Sequence, residues 1–262
     1  MLLQLVYIFD ALRNLEPMSK SAALIEDLQN SIFAMQGCLR TSDEQPGALG
    51  LGLIEDSFPG QVFPRAVVHE FISTSSEEAA STSAFLSVLL GRMMPEQQYS
   101  LWVSTQPRRS VFPPAIGAYG FAPDRLLFID TARPKDTLWV LEEALKCPAL
   151  TAVVGELTEL SFSDSRRLQL AVERSRVTAF VHRFRPRSQN AVACATRWKI
   201  APLASRSADG LPGPGFAHWQ VQLLKARSGK TGSWQVQWSP RGLQYTGQEL
   251  GAVPNTINLQ TA

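Results

Sequence analysis

The sequence predicts an α/β fold: a mostly parallel sheet flanked by helices, carrying an antiparallel C-terminal hairpin extension. Three observations predict it. Between residues 66 and 182, short runs of almost unbroken apolar residues alternate with helical stretches, as expected of strands buried on both faces. Beyond residue 194 three further strand-like runs follow one another with no helix between them. An apolar content of 45% in 262 residues supplies a large core and excludes wholesale disorder.

The elements follow in order. Residues 1–17 (MLLQLVYIFDALRNLEP) lack a basic start, and Asp10 interrupts the apolar stretch, so they do not read as a signal peptide. Met18 offers a second start, which makes residues 1–17 an extension outside the fold. Ser19 or Ser21 caps an expected helix within residues 18–44, with Leu24, Ile25, Leu28, Ile32 and Phe33 at helical spacing. A Gly/Pro-rich stretch then opens the main domain, expected over residues 45–238. Its first strand is 66–72 (AVVHEFI), followed by a Ser/Thr-rich turn and a helix over 78–92. Strands follow at 101–104 and 126–130, with a short helix at 113–119 between them. A Pro-initiated apolar helix runs over 134–146, a strand includes 152–154, a helix covers 161–176 and a strand 177–182. Runs 194–200, 219–226 and 234–238 form the antiparallel part, with Ser228-Gly229-Lys230-Thr231-Gly232 as a hairpin loop. From Ser239 onward the polar, Gly-containing sequence predicts a flexible tail.

Composition removes several function classes. No run approaches the roughly 18 apolar residues of a membrane span. Cys38, Cys147 and Cys194 form neither a CxxC pair nor a disulfide framework, which fits a reducing, cytoplasmic setting. The formal charge of +2 hides an asymmetry: residues 1–160 carry 11 Lys+Arg against 19 Asp+Glu, and residues 161–262 carry 14 against 4. Either the two halves attract each other, or one face prefers an acidic or polyanionic partner.

Where an α/β nucleotidase holds phosphate, between the first strand and its helix, this chain reads Ser73-Thr74-Ser75-Ser76-Glu77-Glu78. A phosphate loop needs glycines to converge its N–H groups, a lysine for charge, and Ser/Thr for Mg²⁺. None of the glycines or the lysine is present. Each like-charge contact between a carboxylate and a phosphate at about 4 Å costs on the order of 4 kcal/mol at an effective dielectric near 20. Glu77 and Glu78 instead suit the first turn of a helix. The string Ser228-Gly229-Lys230-Thr231 is not a phosphate loop either, because Leu224 stands where the earlier glycine belongs and a strand follows. At the end of the fourth strand Gly155 takes the place of the metal-linked aspartate of a nucleotide hydrolase, with Glu156 next to it in a structural or capping role. His69, His182 and His218 show no ligand spacing; the first two lie in apolar strands and read as packed histidines. Cys147 and Cys194 read as buried fillers. No catalytic, cofactor or metal residues are therefore assigned, and the chain is read as a non-enzyme.

Seven segments carry a family resemblance: VVHEFIS (67–73), LWVS (101–104), DRLLFID (124–130), LWVLEEALKCPALTAVVGEL (138–157), LSFSDSRRLQLAVERSRVTAFVHR (160–183), ATRWKIAP (195–202) and WQVQLLKARSGKTGSWQVQW (219–238). Their order resembles the RecA-like core, and their combination resembles the ImuA family of RecA-related bacterial proteins. The resemblance implies an accessory role in damage-induced mutagenesis and translesion DNA synthesis, with ImuB, RecA and an alternative replicative DNA polymerase subunit as partners. Two other functions stay open at this point: a SulA-like cell-division inhibitor, and a residual ATP-binding ATPase. In RecA-type proteins loops after the later core strands touch single-stranded DNA. The corresponding loop here, 183–196, is short and not Gly-rich, which implies weak DNA contact at most. Arg183, Arg185 and Arg187 are its candidate phosphate contacts, with Arg166, Arg167 and Lys230 as further candidates for DNA or a partner.

Overall fold

In the computed structural model the described residues are 47–95, 98–105, 111–188, 190–205 and 215–247. The expected extension 1–17, the helix expected over 18–44 and the last part of the tail lie outside them. The strands are β1 (Val68–Ser73), β2 (Tyr99–Thr105), β3 (Leu126–Thr131), β4 (Leu150–Leu157), β5 (Thr178–Phe184), β6 (Thr196–Pro202), β7 (His218–Ala226), β8 (Gly232–Ser239) and β9 (Gly242–Tyr245). Among the described residues three α-helices accompany them: α1 (Ser76–Met93), α2 (Pro134–Ala144) and α3 (Phe162–Ser175). The strands form one sheet in the order β3-β2-β4-β5-β1-β6-β7-β8-β9. Pairing is parallel from β3 to β6 and antiparallel from β6 to β9.

Burial follows from that topology. Helices cover both faces of the central sheet, so β1 is buried at every position. Along β6 to β8 burial alternates instead, as in a sheet covered on one face. α1 lies on one face over Phe71, Trp102, Phe180 and Trp198, with the Phe71 and Trp198 rings stacked at 6.0 Å. On the other face α2 and α3 cover Val153, Ala179 and Val181 through Leu141, Leu168 and Val172.

The helix starts are written in short polar residues. Ser75 and Ser161 cap α1 and α3 by accepting the N–H groups of Glu78 (3.2 Å) and Asp164 (3.0 Å). α2 begins on Pro134 and closes two residues before the expected end. It is also less buried than its apolar composition predicts: Trp139 is 62% exposed.

The expected tail does not begin at Ser239. Through the turn Pro240–Arg241, with Gly242 at φ +101, the chain returns as β9 along the open edge of β8. Tyr245 then fastens this strand to the start of the domain. Its hydroxyl donates to the Leu51 carbonyl and accepts the Ile54 N–H at 2.9 Å, at the 3-10 turn Gly52–Ser57.

Candidate functional site

The carboxyl ends of the parallel strands are where open α/β sheets bind ligands, so the β1–α1 turn is the first place to look. There the Glu78 side chain folds back over its own helix start. Its Oε2 accepts both the Thr74 N–H and the Thr74 hydroxyl at 2.7 Å, and its Oε1 meets Lys199 Nζ of β6 at 3.1 Å. Burial works against the charge on Glu78, but the Thr74 donors and the Lys199 ammonium outweigh it and hold the carboxyl below its ordinary range. Arg185 closes the other side: its N–H donates to Ser73 O at 2.7 Å and its Nε to Thr74 O at 3.3 Å. An incoming phosphate meets a carboxylate that already occupies these donors.

Behind the turn runs a buried polar line. Ser73 Oγ lies 3.0 Å from Thr82 Oγ1 of α1 and 2.9 Å from His182 Nε2 of β5. Glu156 sits opposite His182 in the β4–β5 register and shares its face, where it accepts the Trp102 indole N–H at 3.0 Å. Gly155 points the other way. A Cβ there would stand 2.7 Å from Leu141 Cδ2, so α2 packs directly on the bare glycine. The residue on the α1 face at this strand end is thus Glu156, and it is bonded into the core.

The six basic candidates do not share a surface. Arg183 is a correction: its side chain is wholly buried, donating to Glu70 Oε1 at 2.8 Å, so it is not available to DNA. Arg197 holds the other Glu70 oxygen at 2.5 Å, and Glu159 and the Ser188 carbonyl also accept from Arg183. Arg185 and Arg187 are exposed at the carboxyl end of β5, the Arg185 guanidinium 5.0 Å from the Phe184 ring. Arg166 and Arg167 are exposed on α3, where Arg166 stands 3.8 Å from Glu173 and Arg167 bonds Glu142. Lys230 is at the opposite end of the sheet, because β7 runs antiparallel to β6. Its N–H donates to Ser57 O at 2.8 Å, and a Cβ on Gly229 (φ +126) would overlap that same carbonyl oxygen. The hairpin loop is a structural clasp.

The remaining candidates resolve on packing. His69 lies between the Phe63 and Phe180 rings, its Nε2 donating to Pro64 O at 2.9 Å, which leaves Nδ1 to accept from Thr196. Burial lowers His69 to about 3 and His182 to about 4, so both stay neutral. Trp198, Trp219 and Trp234 are core residues. Cys194 is buried, and burial pushes its thiol up to about 12, whereas Cys147 is exposed rather than the expected filler. Among the described residues no cluster of His, Cys, Asp and Glu is placed to hold a metal, and no helix is long and apolar enough to cross a membrane.

Sequence reasoning placed Glu78 in the first turn of the helix but missed that its carboxylate reaches back to Thr74. Its signal was present: Ser75-x-x-Glu78 has the spacing of a capping box, in which the third helical residue reaches back to an N-terminal N–H. The Glu70 network had no such signal, since it joins residues more than a hundred positions apart.

No protein-family model matches the chain. Two curated proteins, each named "Protein ImuA", from Caulobacter vibrioides strains NA1000 / CB15N and ATCC 19089 / CIP 103742 / CB 15, are each 30% identical over 217 residues. The alignment covers 79% of this chain and 85% of each relative. Among solved structures, the crystal structure of the RadB recombinase superposes with a TM-score of 0.51 at 15% identity, covering 76% of this chain and 99% of the other. That likeness shows the fold, a RecA-like α/β sheet.

Proposed function

The chain belongs to the ImuA family, and from that premise we propose that it is a non-catalytic, RecA-like accessory protein of damage-induced mutagenesis. It serves translesion DNA synthesis through protein–protein contacts with ImuB and RecA, and with an alternative replicative DNA polymerase subunit. One observation carries the non-catalytic half of this reading. The Glu78 carboxylate fills the β1–α1 turn, taking the Thr74 donors and the Lys199 charge that a bound phosphate would use. A fold whose phosphate position is closed by its own side chain retains its surfaces for partners. Those surfaces include apolar area that an isolated protein has no need to expose: Leu127 and Ile129 on the edge strand β3 and Trp139 on α2. Single-stranded DNA is a secondary contact, limited to Arg185 and Arg187, which the strand end leaves in solvent.

Pull-down with ImuB and RecA from the same organism tests the reading; retention of neither removes it. Calorimetric titration with ATP and Mg²⁺ tests the other half. No heat of binding is expected at millimolar nucleotide, and a saturable isotherm would return the chain to the ATPase class.

A further inference from the structure

The charge asymmetry is not used up by the contacts described so far. Of the 14 Lys and Arg in residues 161–262, Arg183 and Arg197 are spent on Glu70, and Lys199 on Glu78. Four others, Arg166, Arg167, Arg174 and Arg176, belong to α3 and its C-terminal cap, on the sheet face that α3 shares with α2. Between these two helices runs a groove of about 530 Å³, within the range that binding pockets occupy. Leu170 and Ala171 form its apolar part, and Lys146, Arg167 and Arg174 its cationic part.

Glu142 is the acid among the groove's residues, and its charge is already matched by Arg167 and by Lys146 at 3.6 Å. Arg174 has no carboxylate within ion-pairing distance among the described residues. The outer stripe of α3 continues the alternation. Phe162, Arg166, Leu170 and Arg174 follow at four-residue spacing, with Phe162 59% and Leu170 41% exposed. Apolar anchors therefore stand beside Arg174, the cation of the groove that no described carboxylate matches.

We infer that the α2–α3 groove docks an acidic protein segment that carries at least one bulky apolar side chain. The apolar side chain covers Leu170 and Ala171, and a flanking carboxylate meets Arg174, Lys146 being held by Glu143 at 2.6 Å. A nucleic-acid backbone fits this face less well. Glu142, Glu143, Asp164 and Glu173 interrupt the cations, and a continuous run of phosphates cannot avoid them, whereas a peptide places its carboxylates one at a time. The inference rests on the adaptor reading above and names a surface for it.

The test uses the full chain and a fluorescein-labelled acidic peptide in which leucine and phenylalanine alternate with aspartate and glutamate. Its controls are the same peptide with lysine for every acid, and a labelled oligothymidylate. Fluorescence anisotropy is expected to show saturable binding of the acidic peptide, weakened about tenfold or more by Arg174→Glu and by Leu170→Ser. Arg174→Glu is also expected to gain affinity for the lysine peptide, which loss of fold would not produce. Equal binding by wild type and Arg174→Glu, no binding of the acidic peptide, or binding of oligothymidylate alone that Arg174→Glu weakens, would each overturn the inference. Pull-down of ImuB and RecA by the wild type separates the two claims. Retention without peptide binding sinks the groove and leaves the adaptor, and loss of both partners sinks the adaptor.

Discussion

Arg183 donates to Glu70 at 2.8 Å with both side chains wholly excluded from solvent. The pair is completed by Arg197 on the second Glu70 oxygen, so β1, β5 and β6 are tied together beneath the loop that follows β5. Removing Arg183 leaves one buried Glu70 oxygen without its donor, with Arg197 as the remaining counter-charge, at a cost of about 1–3 kcal/mol or more. Arg183→Ala is therefore expected to lower the urea midpoint strongly with an unchanged m-value. Arg185→Ala and Arg187→Ala, whose side chains are exposed, are expected to leave the midpoint almost unmoved. An Arg183→Ala protein of wild-type stability would contradict the structural role.

The sequence reading places Arg183, Arg185 and Arg187 together in one loop over 183–196. Arg183 still belongs to the strand, and its side chain turns into the core. β5 ends at Phe184, and Arg185 takes a left-handed φ of +48, so the two-residue alternation stops between Arg183 and Arg185. The same period explains the fourth strand: Gly155 and Glu156 face opposite sides, and only the register with β5 shows which one faces α1. The parallel strands and the helices between them were legible because apolar runs and serine caps are local signals. β9 was not, because Gly-Leu-Gln-Tyr carries too little apolar pattern and forms only where β8 offers an unpaired edge.

The Glu78 carboxylate both caps α1 and neutralises the turn. Glu78→Ala is expected to cost about 1 kcal/mol through the lost cap. Glu78→Gln keeps an acceptor for Thr74 and is expected to lose less. Because the folded carboxyl titrates below its ordinary 4.5, its contribution is complete above that pH and disappears as pH falls through the lower folded value. Denaturation midpoints measured between pH 5 and pH 3, as roughly the window involved, should fall less steeply for Glu78→Gln than for wild type.

His69 and His182 are held neutral at about 3 and about 4, against an ordinary 6.5. Unfolding exposes both to water, where they take up protons below about pH 6.5. The unfolded chain thus binds more protons than the folded one between that pH and the folded values. Stability is greatest above pH about 6.5 and declines on acidification, each histidine contributing on the order of 1.4 kcal/mol per pH unit inside the window. Urea titrations from neutral pH toward pH about 4 should give that slope, and His182→Gln should reduce it by about one proton's worth. A variant slope equal to wild type would refute the linkage.

Gly229 and Lys230 are neighbours with opposite expectations. A Cβ on Gly229 would overlap the Ser57 carbonyl oxygen, and its φ of +126 is open to glycine alone. Gly229→Ala should therefore unclasp the β7–β8 loop from the Gly52–Ser57 turn and lower the melting temperature by several degrees, about what 1 kcal/mol or more produces in a protein of this size. Lys230 contributes only its backbone N–H to that clasp. Lys230→Ala should melt with the wild type in the same calorimetric scan.

Gly155→Asp tests whether this strand end can present the metal-linked carboxylate that a nucleotide hydrolase carries there. The new side chain would start 2.7 Å from Leu141 Cδ2, on the α2 face, among Val153, Leu141 and Val181. The buried cation on that face, Arg183 two residues beyond Val181, is already held by Glu70 and Glu159, and Lys199 is held by Glu78 at the β1–α1 turn. The strand alternation cannot be reversed by one substitution, so the carboxylate stays on the wrong side of the sheet from the β1–α1 turn. The expected result is a loss of several kcal/mol for an unpaired buried acid, read by urea denaturation, with no ATP–Mg²⁺ isotherm gained. Glu78→Ala combined with Gly155→Asp should likewise fail to gain one, because the turn would still lack the glycines and lysine that gather phosphate. Magnesium-dependent nucleotide binding by the double variant would mean that the fold had kept more of a nucleotide pocket than its side chains disclose.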